Sequence, residues 1–383
     1  MVQNIKICIL SELAYSLLSG HGIRGGAELQ MVILARELIK RSYDVSFITF
    51  EMAGSRSEVI DGIKSYNLFG SRSHGYTYLY PKNIHKLLKT LKKIDADIYI
   101  QRGTSPLTGI ISFFAILNNK KFIYSTSSDN DVSKNLDLKS FNDLKNLFFR
   151  FGVTHSNLVI IQTNHQKNLL KKKLGTEGKV IKNFYPFLYN AQKQNDSSEE
   201  KILWIGRMRK EKRPDLFLDL AKSLPEVKFR MIGGPSSVHP NFYYEIKEAA
   251  DKINNLDFIG FVPHNQIGKY YNETTLLINT SPSEGFPNTF LEAWGNGVPV
   301  VSLGFDPDEI ICTNNLGLHS KTYNQMIEDV KYLLKNEQLR KEMGANSRNY
   351  IEENHNLNKL VEEYEQVFKF LMKKNNNTQK LAY

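Results

Sequence analysis

The chain alternates between short apolar runs and longer stretches of helical spacing, and it does so in two successive sets. No other feature constrains the fold as tightly. Apolar runs of strand length lie at 5–10, 45–50, 96–100, 121–125 and 158–162. Between the first two, Leu29, Val32, Ile33, Leu38 and Ile39 recur at helical spacing over 27–40. Strands of this kind, each followed by a helix, bury themselves in a parallel sheet covered on both faces. Residues 190–200 are polar and have no period, which reads as a linker. The alternation then restarts, with runs at 202–205, 227–232, 256–259, 275–278 and 298–303. Helical patterns follow at about 323–335, 338–353 and 357–373, the last carrying Leu360, Tyr364, Phe368 and Leu371 on one face.

A chain of 383 residues is too long for one hydrophobic core. The expectation is therefore an α/β protein of two Rossmann-like domains, 1–190 and 200–355. Residues 356–383 are expected to form a helix crossing back to the first domain and an Asn/Lys-rich, frayed tail.

Composition excludes several classes. The first apolar run begins almost at Met1, so no signal peptide is expected. The longest apolar stretch, 107–117, is too short to span a bilayer. Cys8 and Cys312 lie far apart, so neither a disulfide framework nor a metal site is expected, and a reducing, cytoplasmic setting fits. The first 193 residues hold 27 Lys+Arg against 14 Asp+Glu, and the remainder 23 against 26. An excess this local points to an anionic partner or to a lysine-rich solvated surface. There is no helix-turn-helix, zinc-finger or RNA-binding aromatic signature, which argues against nucleic acid. Stretches 82–93 and 139–151 mix lysines with apolar residues. Each fits a helix lying on an anionic membrane, and equally a helix packing its apolar face on the sheet.

Three stretches carry chemistry. In residues 281–294, Ser281-Pro282-Ser283 breaks the run before it, Gly285 and Pro287 hold a loop, and helical spacing begins near Asn288. Glu284 then sits at a strand's C-terminal end, where ligands bind in open α/β sheets, and Glu292 sits one turn into the next helix. The backbone from Gly285 through Phe286, Pro287 and Asn288 to Thr289 opens that helix, where an anion is favoured. In residues 204–215 a strand ends at Gly206, and Arg207, Arg209, Lys210, Lys212 and Arg213 follow closely. Pro214 suits the first turn of a helix. Fixed cations at a strand end suit a diphosphate, although such a cluster alone reads as an exposed basic turn. The glycine-rich loop at 20–29 opens the first long helix. It does not read as a dinucleotide fingerprint, because apart from Glu51 no good candidate acid ends the 45–50 run.

Together these stretches resemble the retaining glycosyltransferases of family four, the glycosyl transferases group 1. Those enzymes have a GT-B fold, two Rossmann-like domains facing across a cleft. The run Glu284-Gly285-Phe286-Pro287 followed by Glu292 matches their Glu-x7-Glu motif. Residues 206–215 resemble their Gly-Arg…Lys stretch, and Gly25-Gly26-Ala27-Glu28 their N-terminal loop. The resemblance implies that Glu284 and the backbone of Gly285 to Thr289 hold the donor sugar, and that Glu292 holds the ribose. It implies that Arg207 and Lys212 contact the donor diphosphate beside Gly206, with Gly25 and Gly26, and Arg24 as a further candidate, approaching it from the first domain. It also implies that Gly233 faces the nucleotide and that Val262 offers a backbone contact near the base. Many members carry a histidine after the fourth strand of the first domain. Here that region reads Thr126-Ser127-Ser128-Asp129, so Asp129 is assigned in its place. His155 and His165 read as surface or packing residues. Residues 305–310 resemble a loop found in one branch of the family, with no role assigned.

The implied activity is retaining, hexosyl-type transfer from a nucleotide-sugar donor to a glycan or lipid-linked acceptor, in cell-surface polysaccharide synthesis. It implies no cofactor, no metal-ligand cluster and no obligatory divalent ion. The basic first half adds the expectation of peripheral attachment to an anionic inner membrane face. Two other readings stay open here: a nucleotide-sugar epimerase on the same architecture, and a non-enzymatic nucleotide-sugar-binding scaffold at the membrane.

Overall fold

A computed structural model describes residues 5–20, 25–50, 56–68, 79–133, 144–185, 201–236 and 239–373. Arg24, the stretch 190–200, residues 139–143 and the tail from 374 lie outside the described residues. The chain divides into two compact units, one of 1–184 with 357–383 and one of 185–356.

The strands of the first unit are β1 (Lys6–Leu10), β2 (Asp44–Thr49), β3 (Arg56–Ile60), β4 (Ile63–Asn67), β5 (Ile98–Arg102), β6 (Lys121–Ser125), β7 (Leu158–Ile161) and β8 (Gly178–Val180). Its helices are α1 (Tyr15–Leu18), α2 (Gly26–Lys40), α3 (Pro81–Ile94), α4 (Leu107–Leu117), α5 (Leu144–Thr154) and α6 (Asn164–Leu174). The sheet order is β3-β4-β2-β1-β5-β6-β7-β8. Successive strand residues face opposite sides, so each strand feeds two cores. Ile7 and Ile9 join Met31, Leu34 and Leu38 of α2 on one face, while Cys8 and Leu10 join Leu87 of α3 and Ile111 of α4 on the other. That is why these runs read as continuously apolar.

The sheet is not wholly parallel, as the alternation implied. β3 and β4 form an antiparallel hairpin at the edge. Asp61 (φ 50°) and Gly62 (φ 79°) make its two-residue turn in the left-handed region. An Asp-Gly pair between strand-like residues is a hairpin signal that the period alone does not reveal. α4 and α5 cross closely because two glycines meet there. A Cβ on Gly109 would stand 2.3 Å from the Phe148 carbonyl oxygen, and one on Gly152 would stand 2.5 Å from that of Thr108.

In the second unit the strands are β9 (Lys201–Ile205), β10 (Lys228–Ile232), β11 (Leu256–Gly260), β12 (Leu276–Asn279), β13 (Val300–Ser302) and β14 (Gly317–His319). The helices are α7 (Pro214–Ser223), α8 (Pro240–Ala250), α9 (His264–Asn272), α10 (Asn288–Gly295), α11 (Ile310–Thr313), α12 (Tyr323–Lys335) and α13 (Glu337–Asn354). This sheet has the order β11-β10-β9-β12-β13-β14, and every pairing in it is parallel. The order reverses direction between β9 and β12. A crevice opens at the carboxyl ends of strands at such a point. The last helix, α14 (Leu357–Lys373), belongs to the first unit. There Leu360, Val361, Tyr364, Val367, Phe368 and Leu371 enter the core that β1 and α2 share.

Candidate active site

The carboxyl ends of β9 and β12 carry the two stretches singled out in the sequence. After β9 the chain turns through Gly206 and Arg207 into a short 3-10 turn, Lys210–Lys212, and Arg213 (φ 49°) reverses it into α7. Pro214 opens that helix, where no backbone donor is needed. Across the crevice, the Trp204 indole donates to Thr280 Oγ1 at 3.0 Å, and Thr280 Oγ1 donates to the Lys212 carbonyl at 2.6 Å. These two bonds lock the basic turn to the end of β12.

The lock sets up the central contact. Lys212 Nζ forms an ion pair with Glu284 Oε1, the two side chains being 31% and 15% exposed. The other cations of the cluster are already engaged. Arg209 donates to Ser236 Oγ at 3.2 Å, Arg213 grips Asp215 with three contacts of 2.8–3.1 Å, and Lys210 lies over the Phe242 ring. Arg207 is half-buried. The cluster is therefore not a uniform basic turn, because each cation has its own setting.

Glu292 is not a solvated helix residue. Its side chain is 12% exposed. Oε2 accepts from the Tyr271 hydroxyl at 3.0 Å, and Oε1 meets His264 Nε2 at 3.0 Å. Burial alone pushes the His264 imidazole pKa down, but the hydrogen bond and the charge of Glu292 overcome it, and the value rises above the ordinary one. Burial and the same carboxylate drive the Tyr271 hydroxyl well above its ordinary range, so it stays a neutral donor. His264 and Tyr271 lie on α9, 28 and 21 residues before Glu292. No local spacing links them to it, and sequence reasoning missed both.

Around this pair, Phe286 is buried with its ring against Trp294 and His355, which pins the loop that bears Glu284. Pro287 caps α10, and Asn288 and Thr289 form its first turn. The Pro287 side chain makes no capping bond at that end. Gly206 and Gly233 touch: a Cβ on Gly233 would stand 2.0 Å from the Gly206 carbonyl oxygen. The Val262 side chain lies in the core, which leaves only its backbone for a ligand.

In the first unit, Gly25 caps α2 and Gly26 is its first residue. Gly25 has φ −78°, an ordinary value, so the glycine there is not required by backbone conformation. Asp129 is held by Gln166 Nε2 at 2.9 Å. The better-anchored acid of that loop is Asp131, which is buried and accepts from Ser127 N, Ser127 Oγ and Thr104 Oγ1 at 2.6, 2.9 and 2.7 Å. His155 and His165 are both exposed.

One further cluster lies off this site. Asp306, Cys312 and His319 bring ligand-type atoms together, although their sequence spacing matches no common metal motif.

Two α/β domains in one chain, on sheets that are parallel apart from one edge hairpin in the first, match the GT-B fold of glycosyltransferases. A family model described as glycosyl transferases group 1 matches residues 188–350, and one described as glycosyltransferase family 4 matches residues 24–186. The chain belongs to the group 1 glycosyltransferases. It is 22% identical over 359 residues to an uncharacterized glycosyltransferase of Haemophilus influenzae, covering 90% of this chain and 97% of that one. Among solved structures it resembles sucrose-phosphate synthase from Thermosynechococcus elongatus, with TM-score 0.76, 16% identity and coverage of 96% and 99%. It also resembles Anabaena HepE in complex with UDP-glucose, with TM-score 0.72, 15% identity and coverage of 96% and 100%.

Proposed function

We propose that this glycosyltransferase moves a sugar with retention at the anomeric carbon, from a nucleotide-sugar donor to a glycan or lipid-linked acceptor, without a divalent ion on the diphosphate. The observation that carries the reading is the Lys212–Glu284 ion pair at the β9/β12 switch point. A donor diphosphate entering the crevice competes for Lys212, and the freed Glu284 carboxylate then orients sugar hydroxyls. Arg207 and Lys212 stabilise the charge that develops on the departing diphosphate, and fixed cations do this without reorganising. One diphosphate oxygen accepts the acceptor's proton as the new bond forms on the face the leaving group vacates. By the family resemblance, Gly206 and Gly233 face the nucleotide, and the close approach of their backbones fixes the turn after β9. Each oxygen of Glu292 has a second lone-pair site beyond the donor it already has, and these sites suit the ribose hydroxyls. Asp129 takes, by the family resemblance, the place of the usual histidine. The UDP and UDP-glucose complexes of HepE make uridine nucleotides the first donors to test.

The acceptor side rests on the charge of the first half of the chain and on where apolar residues stay exposed. No helix among the described residues is long and apolar enough to cross a membrane. Phe113, Ile116 and Leu117 of α4 and Leu147 of α5 are exposed. In stretch 82–93, α3 buries Leu87 and Leu91 and Lys86 reaches the Leu68 carbonyl, which favours α4 and α5 over it as the membrane face. Peripheral attachment through α4 and α5 suits a lipid-linked acceptor and a role in polysaccharide synthesis.

The test is Lys212→Ala, assayed for nucleoside diphosphate release with and without acceptor. The expected loss is about 2–4 kcal/mol of barrier, carried mainly by kcat. Unchanged kcat/KM would sink the assignment, and equal release without acceptor would point to an epimerase.

A further inference from the structure

The segment after β13 brings together three side chains that the transfer reaction leaves unused. Asp306 precedes a short turn at Pro307–Glu309, Cys312 lies in α11, and His319 ends β14. Asp308 (φ 50°) and Glu309 (φ 59°) are consecutive non-glycine residues in the left-handed region, and they fold α11 back over Asp306. The carboxylate is fixed by the backbone, with Oδ1 accepting from Ile311 N at 2.8 Å and Oδ2 from Cys312 N at 3.2 Å. One ligand atom from each of the three residues lies within 4.8 Å of the others. Ligands on a tetrahedral zinc ion, with bonds of about 2.0–2.3 Å, stand roughly 3.3–3.8 Å apart, so closure needs shifts on the order of 1 Å.

A second observation is independent of that spacing. Nε2 of His319 is shut off from solvent and makes no hydrogen bond to any of the described residues. An enclosed imidazole nitrogen without a partner is uncommon in a folded protein and calls for a ligand or an ion. The Cys312 thiol, by contrast, is hydrogen-bonded to the Asp306 carboxylate and lies on an exposed residue, so it is reachable.

We propose that Asp306, Cys312 and His319 form a binding site for one zinc-class divalent cation, with a fourth position open to water. Thiolate and imidazole select zinc-like ions over magnesium or calcium, which prefer all-oxygen sets. On binding, the thiol proton leaves to solvent and a sulfur–metal bond replaces the thiol–carboxylate hydrogen bond. Each carboxylate oxygen keeps a lone-pair site besides the one its backbone donor occupies. The site stands on β14, three places along the sheet from β9, so it is separate from the phosphate cations. Its ion ties α11 to the sheet edge. It does so beside the donor loop, since a Cβ on Gly304 would stand 3.1 Å from Pro282 Cα.

The experiment uses the untagged full chain, stripped by chelator and titrated with Co²⁺ and then Zn²⁺. The expected result is a near-ultraviolet sulfur-to-cobalt charge-transfer band, saturating at one ion per chain and displaced by Zn²⁺. Cys312→Ser removes the band, and His319→Ala weakens Co²⁺ binding about 10-fold or more. Cys8→Ala keeps it, because Cys8 is fully buried in the other unit. Circular dichroism in chelator verifies that each variant folds, and if one does not, the other two decide. Absence of the band in the wild type, or its survival in Cys312→Ser, overturns the proposal and leaves the transfer reading untouched.

Discussion

Replacing Glu292 by glutamine gives the sharpest test of how the acidic pair is built. The carboxylate holds two contacts at 3.0 Å in a site where it is 12% exposed. The amide keeps one carbonyl oxygen, so one contact survives as a neutral bond and the other meets an NH2 group. Charged hydrogen bonds contribute about 1.5–3 kcal/mol and neutral ones about 0.5–1.5. The variant no longer holds a carboxylate away from water, which offsets part of the loss, so the second unit should lose about 1–2 kcal/mol. The pH dependence is more telling than the size. With Glu292 present, His264 has a pKa above its ordinary 6.5, because the carboxylate outweighs burial. The stability it contributes is fully present below 6.5 and is lost as pH rises through the raised value. Without the carboxylate only burial remains, the pKa falls below 6.5, and a penalty appears as pH drops through 6.5. The change of stability with pH should therefore reverse sign in Glu292→Gln. NMR titration of the His264 ring in both proteins, with hydrogen exchange of β12 amides across the same pH range, measures this. An unchanged His264 titration would refute the argument that Glu292 controls it.

Gly233→Ala should destabilise by about 1–3 kcal/mol, seen as a lower Tm. Its Cβ would meet the Gly206 carbonyl oxygen at 2.0 Å, and neither group can rotate away; an unchanged Tm would contradict that contact. Asp131→Asn should cost about 1.5–3 kcal/mol in denaturant unfolding, while Asp129→Asn stays within about 1 kcal/mol, because Asp131 gathers the backbone and hydroxyl donors of its loop. Equal losses would mean that the loop does not depend on Asp131. Binding to anionic vesicles at low salt should fall in the Phe113→Glu, Leu147→Glu double variant, and no wild-type binding would remove the membrane reading.

Central strands such as β1, β5, β9 and β12 were legible because they are buried on both faces and read as short apolar runs; β9, β10 and β12 begin within a residue of the expected places. The loop bearing Glu284 was legible for a different reason, since Ser-Pro-Ser and Gly-x-Pro announce where regular structure stops. The partners of the acidic pair were not legible. Lys212 lies 72 residues before Glu284, and only the β9/β12 adjacency, a matter of strand order, joins them. The three-residue strands β8 and β14 are too short to show a period. The basic stretch at 82–93 had a visible apolar face, but a face does not say whether it meets a sheet or a lipid. The structure gives Leu87 and Leu91 to the core. The Cys312–His319 encounter depends on a turn built from Asp308 and Glu309, residues that seldom adopt that conformation, so spacing concealed it.

The helix α14 carries a consequence for how the protein is made. Its six core residues complete a hydrophobic layer whose other members come from the first 184 residues. On the ribosome those residues emerge first, yet the face of the sheet behind α2 lacks part of its cover until the final helix has been synthesised. Meanwhile the second unit is continuous in sequence and has all its parts before α14 appears. The order of maturation should therefore run against the order of synthesis, with the later unit closing first. During that interval the incomplete first unit exposes apolar surface that a chaperone would recognise.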